Sequence, residues 1–199
     1  MKRSLSALGI LALAAPLAAN LAANLAMAQA TSWNIDPNHS EVDFTVRHMS
    51  LSNVHGRFGK VTGTIQLDQS DLSKSSVQVT IDVSGVDTGV AARDNDLKSA
   101  NFFNVAQYPT ATFTSTSVSK SANGLAVSGN LTLHGITKPV TLEVEGPEGP
   151  MPGMGNKQHT GYSARATVTR KDFDIGSKYP NAALSDEIKL TIEVDAIKQ

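Results

Sequence analysis

One stretch of this chain departs from the alternating pattern of the rest, and it reads Arg93-Asp94-Asn95-Asp96-Leu97-Lys98-Ser99-Ala100-Asn101-Phe102-Phe103-Asn104-Val105-Ala106-Gln107-Tyr108-Pro109. Two alanines, which are the best helix formers, come just before it, so we predict a short helix near Ala91–Ser99. Pro109 ends the stretch, because a proline disfavours helical backbone in the residue before it. The adjacent aromatic residues Phe102 and Phe103 lie in between. A short helix followed by paired aromatics, in a chain that is otherwise all-β, is typical of a plug at the mouth of a barrel.

Most of the remaining chain alternates apolar and polar residues with a period of two, which is typical of half-buried β-strands. Eight such segments follow one another, at residues 42–48, 54–67, 77–83, 111–115, 125–133, 140–144, 162–168 and 188–194. The second segment changes phase near Gly59-Lys60, which predicts a β-bulge. The pair Asn123-Gly124 is a strong signal for a hairpin turn. The Pro-, Gly- and Met-containing segment Gly146–Gly155 has no periodicity, and we predict a loop or a soft apolar flap there.

Eight strands that are joined mostly by short turns predict an antiparallel sheet. Closing this sheet into a barrel would remove its two exposed edges, and an eight-stranded barrel can hold one small ligand. Most strands carry one face of Val, Ile, Leu, Phe and Ala, so the cavity should be apolar. We therefore predict an all-β fold, an eight-stranded antiparallel barrel with a short helix at one end and an internal apolar cavity. Closure requires Val42–Val46 to pair with Ile188–Val194.

The N-terminus has the features of a secretory signal peptide, which we predict for residues 1–30. Two basic residues follow the initial Met, and the apolar run Leu5–Leu17 is shorter than the ~20 residues that span a bilayer. Small-residue cleavage sites end at Ala28 and Ala30. Cleavage would leave a mature chain that begins at Gln29 or Thr31, in which residues 31–199 form a single domain of usual size, exported and not membrane-spanning.

Composition excludes several classes of function. The chain has no Cys, so an exported form must be stabilised by its core and its sheet instead of disulfides, and it has no thiol nucleophile or thiolate ligand. Its 17 Lys and Arg are balanced by 18 Asp and Glu, and they form no basic tract. A nucleic-acid partner is therefore not expected.

Histidines and acidic pairs give little sign of a metal or catalytic site. The five histidines have none of the short spacings of a preformed metal site. We therefore interpret most of them as structural or surface residues, and His134, on the polar phase of its strand, as a rim or turn residue. No Gly-x-Ser-x-Gly elbow is present, and Asp94 and Asp96 are two residues apart on a helix and point in different directions.

A set of short motifs occurs in a fixed order along the chain: Trp33–Ser40, Phe44–His48, Gly56-Arg57-Phe58, Arg93-Asp94, Asn101-Phe102-Phe103, Tyr108-Pro109, Gly129–Val140, Arg170–Gly176 and Leu184–Ile188. In these residues the chain resembles the YceI-like family of periplasmic proteins, over essentially the whole predicted mature chain. The resemblance implies a lipocalin-like barrel that binds a polyisoprenoid or a similar amphiphile, and no established catalytic activity. One departure is Asp174, where a small residue or Gly is expected before Ile175, and it should affect a turn and not the pocket.

Strand phases and the plug together predict which residues contact a bound ligand. These are Phe44, Val46, His48, Phe58, Arg93, Leu97, Phe102, Phe103, Phe113, Leu131, Leu133 and Tyr162. Because adjacent residues of a regular element point different ways, we expect one of Phe102 and Phe103 in the core and the other against the ligand. Arg93 either holds the helix through an ion pair or meets a polar or anionic head group, for which Arg offers a planar fork of donors.

Three functions are consistent with this pattern. The leading one is a periplasmic binding protein that stores, transports or senses a long-chain isoprenoid lipid, an isoprenoid quinone or a fatty amphiphile, with no obligatory cofactor. The second is an enzyme that acts on an isoprenoid lipid. The third is a small outer-membrane barrel, whose strands would alternate with the apolar face outward. Against this third reading, aromatic residues make up 5% of the chain and form no girdles. Assembly as a homodimer is left open.

Overall fold

The computed structural model describes residues 30–199, so the predicted signal peptide, apart from Ala30, lies outside the described residues. The strands are β1 (Thr31–Ile35), β2 (Glu41–His48), β3 (Ser52–Arg57), β4 (Val61–Leu67), β5 (Ser76–Asp82), β6 (Thr110–Ser121), β7 (Gly124–Leu133), β8 (Ile136–Pro152), β9 (Gln158–Thr169) and β10 (Leu184–Lys198). The α-helix α1 (Ala91–Lys98) lies between β5 and β6, and short 3₁₀ helices cover Leu72–Lys74, Met154–Asn156 and Arg170–Phe173.

The strands form a closed antiparallel barrel. Neighbours pair in the order β1-β4-β5-β6-β7-β8-β9-β10, and β10 returns to β1, while β2 pairs with β10 and β3 pairs with β2. Thus β1 and β2 occupy one position beside β10, and β3 and β4 occupy the next, so ten segments fill eight positions. Ile188, Leu190 and Ile192 face Val46, Phe44 and Val42 across the closure. The predicted eight-stranded barrel and its closing strand pair are confirmed.

The phase changes near Gly59-Lys60 as predicted, but at a break between two strands and not at the predicted β-bulge. β3 ends at Arg57 and β4 begins at Val61. Val54 on one side is half-buried and Val61 on the other is fully buried, so both point inward although their positions differ by an odd number, seven. The break between the strands thus lets the apolar residues of both β3 and β4 point into the barrel although their phases differ.

The segment Gly146–Gly155 is not a simple loop, and this prediction was wrong. β8 continues through it to Pro152 and pairs with β9, with Glu148 opposite Gly161 and Met151 opposite His159. The register shifts twice, on either side of Glu148. Such irregularities break the two-residue alternation, which is why the sequence pattern did not reveal a strand.

Apolar side chains point into the barrel and polar ones point out. On β10, half-buried Ile188, Leu190 and Ile192 alternate with exposed Lys189 and Thr191. The end opposite α1 is filled by buried side chains, namely Trp33, Leu67, Val118, Leu125 and Ala196. Within residues 30–199, no helix has both the length and the apolarity to cross a bilayer.

α1 and the segment after it cover the other end, which confirms the predicted helix. No residue of α1 is fully buried, so the helix is held by its backbone connections more than by a broad apolar face. The amide of Phe103 donates to the carbonyl of Leu97 at 2.9 Å, and the amide of Gly176 donates to the carbonyl of Asn101 at 3.0 Å. The second bond ties the plug to the segment that follows β9.

Candidate functional site

The barrel encloses a cavity of about 510 Å³ at the helix end. This volume lies within the roughly 300–1,000 Å³ range of small-molecule sites. Most of its lining is aliphatic or aromatic, and the lining side chains that carry polar atoms are His48, Thr88, Arg93, Asp96, Arg170 and Tyr179. His48 is exposed at the end of β2, so it marks the mouth of the cavity. The site is therefore an apolar chamber with polar groups gathered mainly at its opening.

A second chamber of about 130 Å³ lies deeper in the barrel. Val42, Ile81, Leu131 and Leu190 line both chambers, so the two are parts of one interior. Tyr162 is the only polar side chain on the deeper lining. Its hydroxyl is buried and has no hydrogen-bond partner within residues 30–199, and burial raises its pKa. Tyr162 therefore stays neutral.

The structure brings the predicted ligand-contact residues together. Ten of the twelve line the main cavity, namely Phe44, Val46, His48, Phe58, Arg93, Leu97, Phe102, Phe103, Leu131 and Leu133. The other two, Phe113 and Tyr162, line the inner chamber, where Leu131 also appears. Contact with a ligand stays a prediction for each of them, but their common location is an observation.

Aromatic rings form one wall of the main cavity. The ring of Phe58 lies 5.2 Å from that of Phe44 and 5.5 Å from that of Phe103, between ring centres. Phe102 stacks on Tyr179 at 5.4 Å. Phe102 and Phe103 are both buried and both line the cavity, so the expectation that only one of them would do so was wrong. The segment after α1 is a series of turns, and the alternating directions of a regular element do not apply there.

Arg93 is held by Thr88 and not by an acidic side chain. Its Nε donates to Thr88 Oγ1 at 2.7 Å and its Nη2 donates to the Thr88 carbonyl at 2.9 Å. The Thr88 hydroxyl in turn donates to Asp94 Oδ1 at 2.5 Å. Within residues 30–199 no carboxylate lies in ion-pair range of Arg93, so the ion-pair version of the structural hypothesis was wrong. A guanidinium has five N–H donors, and those that Thr88 does not use can face the mouth.

Sequence reasoning missed the segment from Arg170 to Leu184, which contributes Phe173, Ile175 and Tyr179 to the cavity. Arg170 organises this segment. Its side chain is 2% exposed and donates to the carbonyls of Ile175, Gly176, Tyr179, Leu184 and Ser185 and to Asp186 Oδ1. One sequence signal was available, namely an Arg directly after an apolar strand. Arg is almost never fully buried without partners, so an Arg in this place can indicate a buried network.

The departure at Asp174 affects a turn, as predicted. Asp174 has left-handed backbone with φ of 55° and caps the 3₁₀ helix Arg170–Phe173. Asp adopts this conformation more readily than most residues, because its short polar side chain bonds locally. Its Oδ1 accepts a hydrogen bond from Ser177 at 2.5 Å, and Asp174 does not line either chamber.

Histidines hold structural contacts in the part of the chain that the structure describes. His134 has left-handed backbone and its Nδ1 lies 2.9 Å from the Phe173 carbonyl, which confirms its predicted turn role. His159 Nδ1 lies 2.8 Å from Asp195 Oδ1. No group of three or more His, Asp or Glu within residues 30–199 has the arrangement of a metal site.

A third histidine, His39, predicts a measurable pH dependence of stability. Its Nδ1 lies 2.7 Å from Asp36 Oδ2, and this hydrogen bond raises the pKa of His39 and lowers the pKa of Asp36. The His39 contribution is complete below its ordinary pKa of 6.5 and is lost as the pH rises through the raised value. The Asp36 contribution is present above 3.8 and is lost as the pH falls through the lowered value.

We therefore expect His39→Gln to lower the melting temperature most near about pH 6, with the difference shrinking towards both about pH 3 and about pH 9. Thermal melts of both proteins across this range measure the difference. A deficit that stays constant with pH would contradict the assignment. Because His39 is exposed, we expect a modest effect.

Comparison with known proteins identifies similar sequences and folds. A family model described as YceI-like domain matches residues 33–196. Protein YceI of Salmonella newport (strain SL254) is 41% identical over 178 residues, which cover 86% of this chain and 90% of that protein. The YceI protein of Campylobacter jejuni superposes with a TM-score of 0.65 at 31% identity, over 75% of this chain and 87% of that one. A domain from Saccharophagus degradans, described as a polyisoprenoid binding domain implicated in plant cell wall breakdown, superposes with a TM-score of 0.63. Its identity is 16%, over 85% of this chain and 99% of that domain, so the likeness concerns the fold.

Proposed function

This chain belongs to the YceI-like family, and on that premise we propose that it is a binding protein that holds the hydrocarbon chain of a polyisoprenoid or a similar amphiphile inside its barrel. The observation that carries the proposal is the cavity of about 510 Å³, whose lining is almost wholly apolar and whose polar groups, apart from the buried Arg170, lie mainly at the mouth. An amphiphile has the same division, with a long apolar chain and one polar end.

Burial of the chain would supply most of the affinity. Several hundred Å² of hydrocarbon removed from water at about 25 cal/mol per Å² gives a gross gain of roughly 10 kcal/mol. Ordering the flexible chain and losing its free motion reduce this gain. The polar end would then set the orientation of the lipid. The description of the Saccharophagus degradans domain as polyisoprenoid binding supports an isoprenoid as the class of chain.

Binding without catalysis is the activity that the polar lining supports best. Arg93 and Thr88 bond to each other, and Arg170 is occupied by backbone carbonyls and Asp186. These groups are used to hold the cavity walls. Within residues 30–199 no hydrogen bond or ion pair joins the other two ionisable residues of the lining, His48 and Asp96, so no paired acid and base favours the enzyme alternative. The outward faces support action in water, since Lys189 and Thr191 of β10 are exposed where an outer-membrane barrel would carry apolar residues.

We propose the periplasm as the location, from the signal peptide predicted for residues 1–30. One experiment tests location and ligand together, with the full chain expressed in bacteria and purified from the periplasmic fraction without detergent. Intact mass should show cleavage after Ala28 or Ala30, and mass spectrometry of an organic extract should show a lipid built of isoprene units. Exported protein that keeps Met1 would contradict the signal peptide. Protein that carries no lipid and binds no added prenyl lipid would contradict the function, whereas a fatty amphiphile would keep the binding role and exclude the isoprenoid.

Arg93 is proposed to meet the head group of an anionic lipid. Arg93→Ala would then lose a charge-assisted hydrogen bond, and we expect phosphorylated prenyl lipids to bind about ten- to a hundredfold more weakly. Neutral prenyl alcohols should bind almost as before. Titrations with both lipids, alongside thermal melts, measure this selectivity.

Two variants control this test. Lys98→Ala removes a positive charge from the same helix without touching the cavity and should leave both affinities unchanged. Thr88→Val removes the hydroxyl that Arg93 bonds but keeps the guanidinium charge, and so reports how far the Thr88–Arg93 bond supports stability. If Arg93→Ala weakens both lipids equally and lowers the melting temperature as Thr88→Val does, Arg93 is a structural residue only.

A further inference from the structure

Exposed large hydrophobic side chains are concentrated at the mouth of the cavity. Within residues 30–199 they are Met49, Leu51, Val90 and Met151, with exposures of 56%, 75%, 47% and 67%. The first three lie at the helix end of the barrel, and we call them the mouth rim. Met151 lies at the opposite end, on the hairpin between β8 and β9. Single exposed apolar residues are ordinary, but three around one opening form a patch that calls for a partner.

The turn that carries Met49 and Leu51 is built at a conformational cost. Met49 and Ser50 have φ of 50° and 57°, and the amide of Leu51 donates to the His48 carbonyl at 2.9 Å. These two left-handed positions lie in a three-residue connection, because His48 pairs with Ser52, and left-handed backbone favours Gly or Asn. Here a methionine occupies the first position, and it is exposed.

The turn is nevertheless held in place. The amide of Met49 donates to the Ala183 carbonyl at 2.8 Å, and Arg47 Nη2 donates to the Ser50 carbonyl at 3.2 Å. An apolar side chain kept in water by a fixed turn gains from burial against an apolar partner. The fixed turn thus keeps Met49 and Leu51 exposed to solvent.

The mouth rim is continuous with the cavity. Met49 itself lines the cavity, and Val90 directly precedes α1, from which Arg93 and Leu97 also line it. An apolar path therefore runs from the surface into the barrel. A chain that moved along this path out of a bilayer would not have to cross water, and this step rests on the proposed function.

The charge beside Met49 and Leu51 suits an anionic surface. From residue 47 to residue 55 the chain contains Arg47 and two histidines and no carboxylate. The Val90 side carries Arg93 together with Asp87, Asp94 and Asp96, so the basic character is confined to the Met49–Leu51 side. Basic groups beside exposed apolar side chains are the combination that binds anionic lipid headgroups together with the outer part of the acyl region.

We propose that the mouth rim docks the protein on an anionic phospholipid bilayer, with the cavity opening towards the membrane. Docking brings the cavity to a lipid that is dissolved in the bilayer, so uptake and release occur at the membrane surface. Met49 belongs to both the rim and the cavity lining, whereas Leu51 and Val90 belong to the rim alone and can be changed without altering the cavity.

The test uses the periplasmic protein and empty vesicles of phosphatidylethanolamine and phosphatidylglycerol, with flotation as the readout. The variant is the double change Leu51→Ser and Val90→Ser, which spares Met49 because Met49 lines the cavity. Serine is a favourable residue before a helix, so the change at position 90 should not harm α1. Met151→Ser is the matched control, since it removes an equally exposed side chain at the other end. We expect wild type and Met151→Ser to float with these vesicles, and the double variant to bind at least about tenfold more weakly.

A parallel titration with a short prenyl lipid delivered from solution separates this proposal from the proposed function. Wild type and double variant should bind it equally. Wild type that binds the lipid from solution but does not float overturns docking and leaves the function intact. Wild type that floats but binds no prenyl lipid leaves docking intact and overturns the function. Equal flotation of the double variant overturns docking by the rim. Sedimentation that shows a dimer in the wild type, lost in the double variant, without flotation assigns the rim to a second copy instead.

Discussion

Replacing Arg170 by alanine is expected to lower the stability of the fold by about 3 kcal/mol or more. The change leaves five backbone carbonyls and Asp186 without the donors that they now have, inside a region where the arginine is 2% exposed. For a domain of this size the melting temperature should fall by roughly 6–12 °C, which thermal or denaturant unfolding measures. Lipid binding should weaken as well, since the segment that Arg170 holds lines the cavity.

Lys171 offers a matched control for this prediction. Its Nζ lies 3.1 Å from Asp186 Oδ2, so it pairs with the same carboxylate, but its side chain is 39% exposed. Exposed pairs contribute little, and Lys171→Ala should cost at most about 1 kcal/mol. Equal stabilities of the Arg170→Ala and Lys171→Ala proteins would mean that the buried network does not hold this end of the barrel.

Replacing Val46 by tryptophan is expected to abolish lipid binding while the protein stays folded. Val46 is buried and lines the main cavity, where an indole would occupy space that the lipid chain needs. Overpacking costs about 1–3 kcal/mol, which a barrel of this size should tolerate. The lipid content of the purified variant, measured by mass spectrometry against protein concentration, checks the prediction.

Thr45 provides the control for Val46. It is the adjacent residue on β2, so its side chain projects from the other face of the strand, where Oγ1 lies 3.0 Å from His55 Nδ1. Thr45→Trp adds the same ring outside the cavity and should leave the lipid content unchanged. A folded Val46→Trp protein that carries lipid with the stoichiometry of the wild type would contradict the placement of the ligand.

Strand faces could be predicted from the sequence because they depend on local alternation. Phe44 and Val46 point inward simply because they are two residues apart on one strand, and the same holds for Leu131 and Leu133. The helix was also predictable, since a segment without alternation stood between alternating ones. These features needed no knowledge of which strands are neighbours in space.

The rest of the site depends on contacts between distant parts of the chain. Arg170 is satisfied by carbonyls up to 15 residues later, and no periodic signal marks such acceptors. Phe102 and Phe103 both reach the cavity because a bond between Gly176 and Asn101 fixes the turns around them. Arg93 bonds to Thr88 and not to a carboxylate, because the loop before α1 places Thr88 beside it. Turn geometry and hydrogen bonds between distant segments therefore determine the structure of the cavity mouth, whereas alternation determines which residues line its walls.

The filled end of the barrel has a kinetic consequence. Trp33, Leu67, Val118, Leu125 and Ala196 occupy the end opposite α1, so the tube is blind. A molecule that enters through the mouth must leave through the mouth, and a second molecule cannot displace it from the opposite end. Exchange of one bound chain for another should then proceed at the dissociation rate of the first, whatever the concentration of the second. The residence time of a lipid chain bound as proposed would therefore be set by its own dissociation rate.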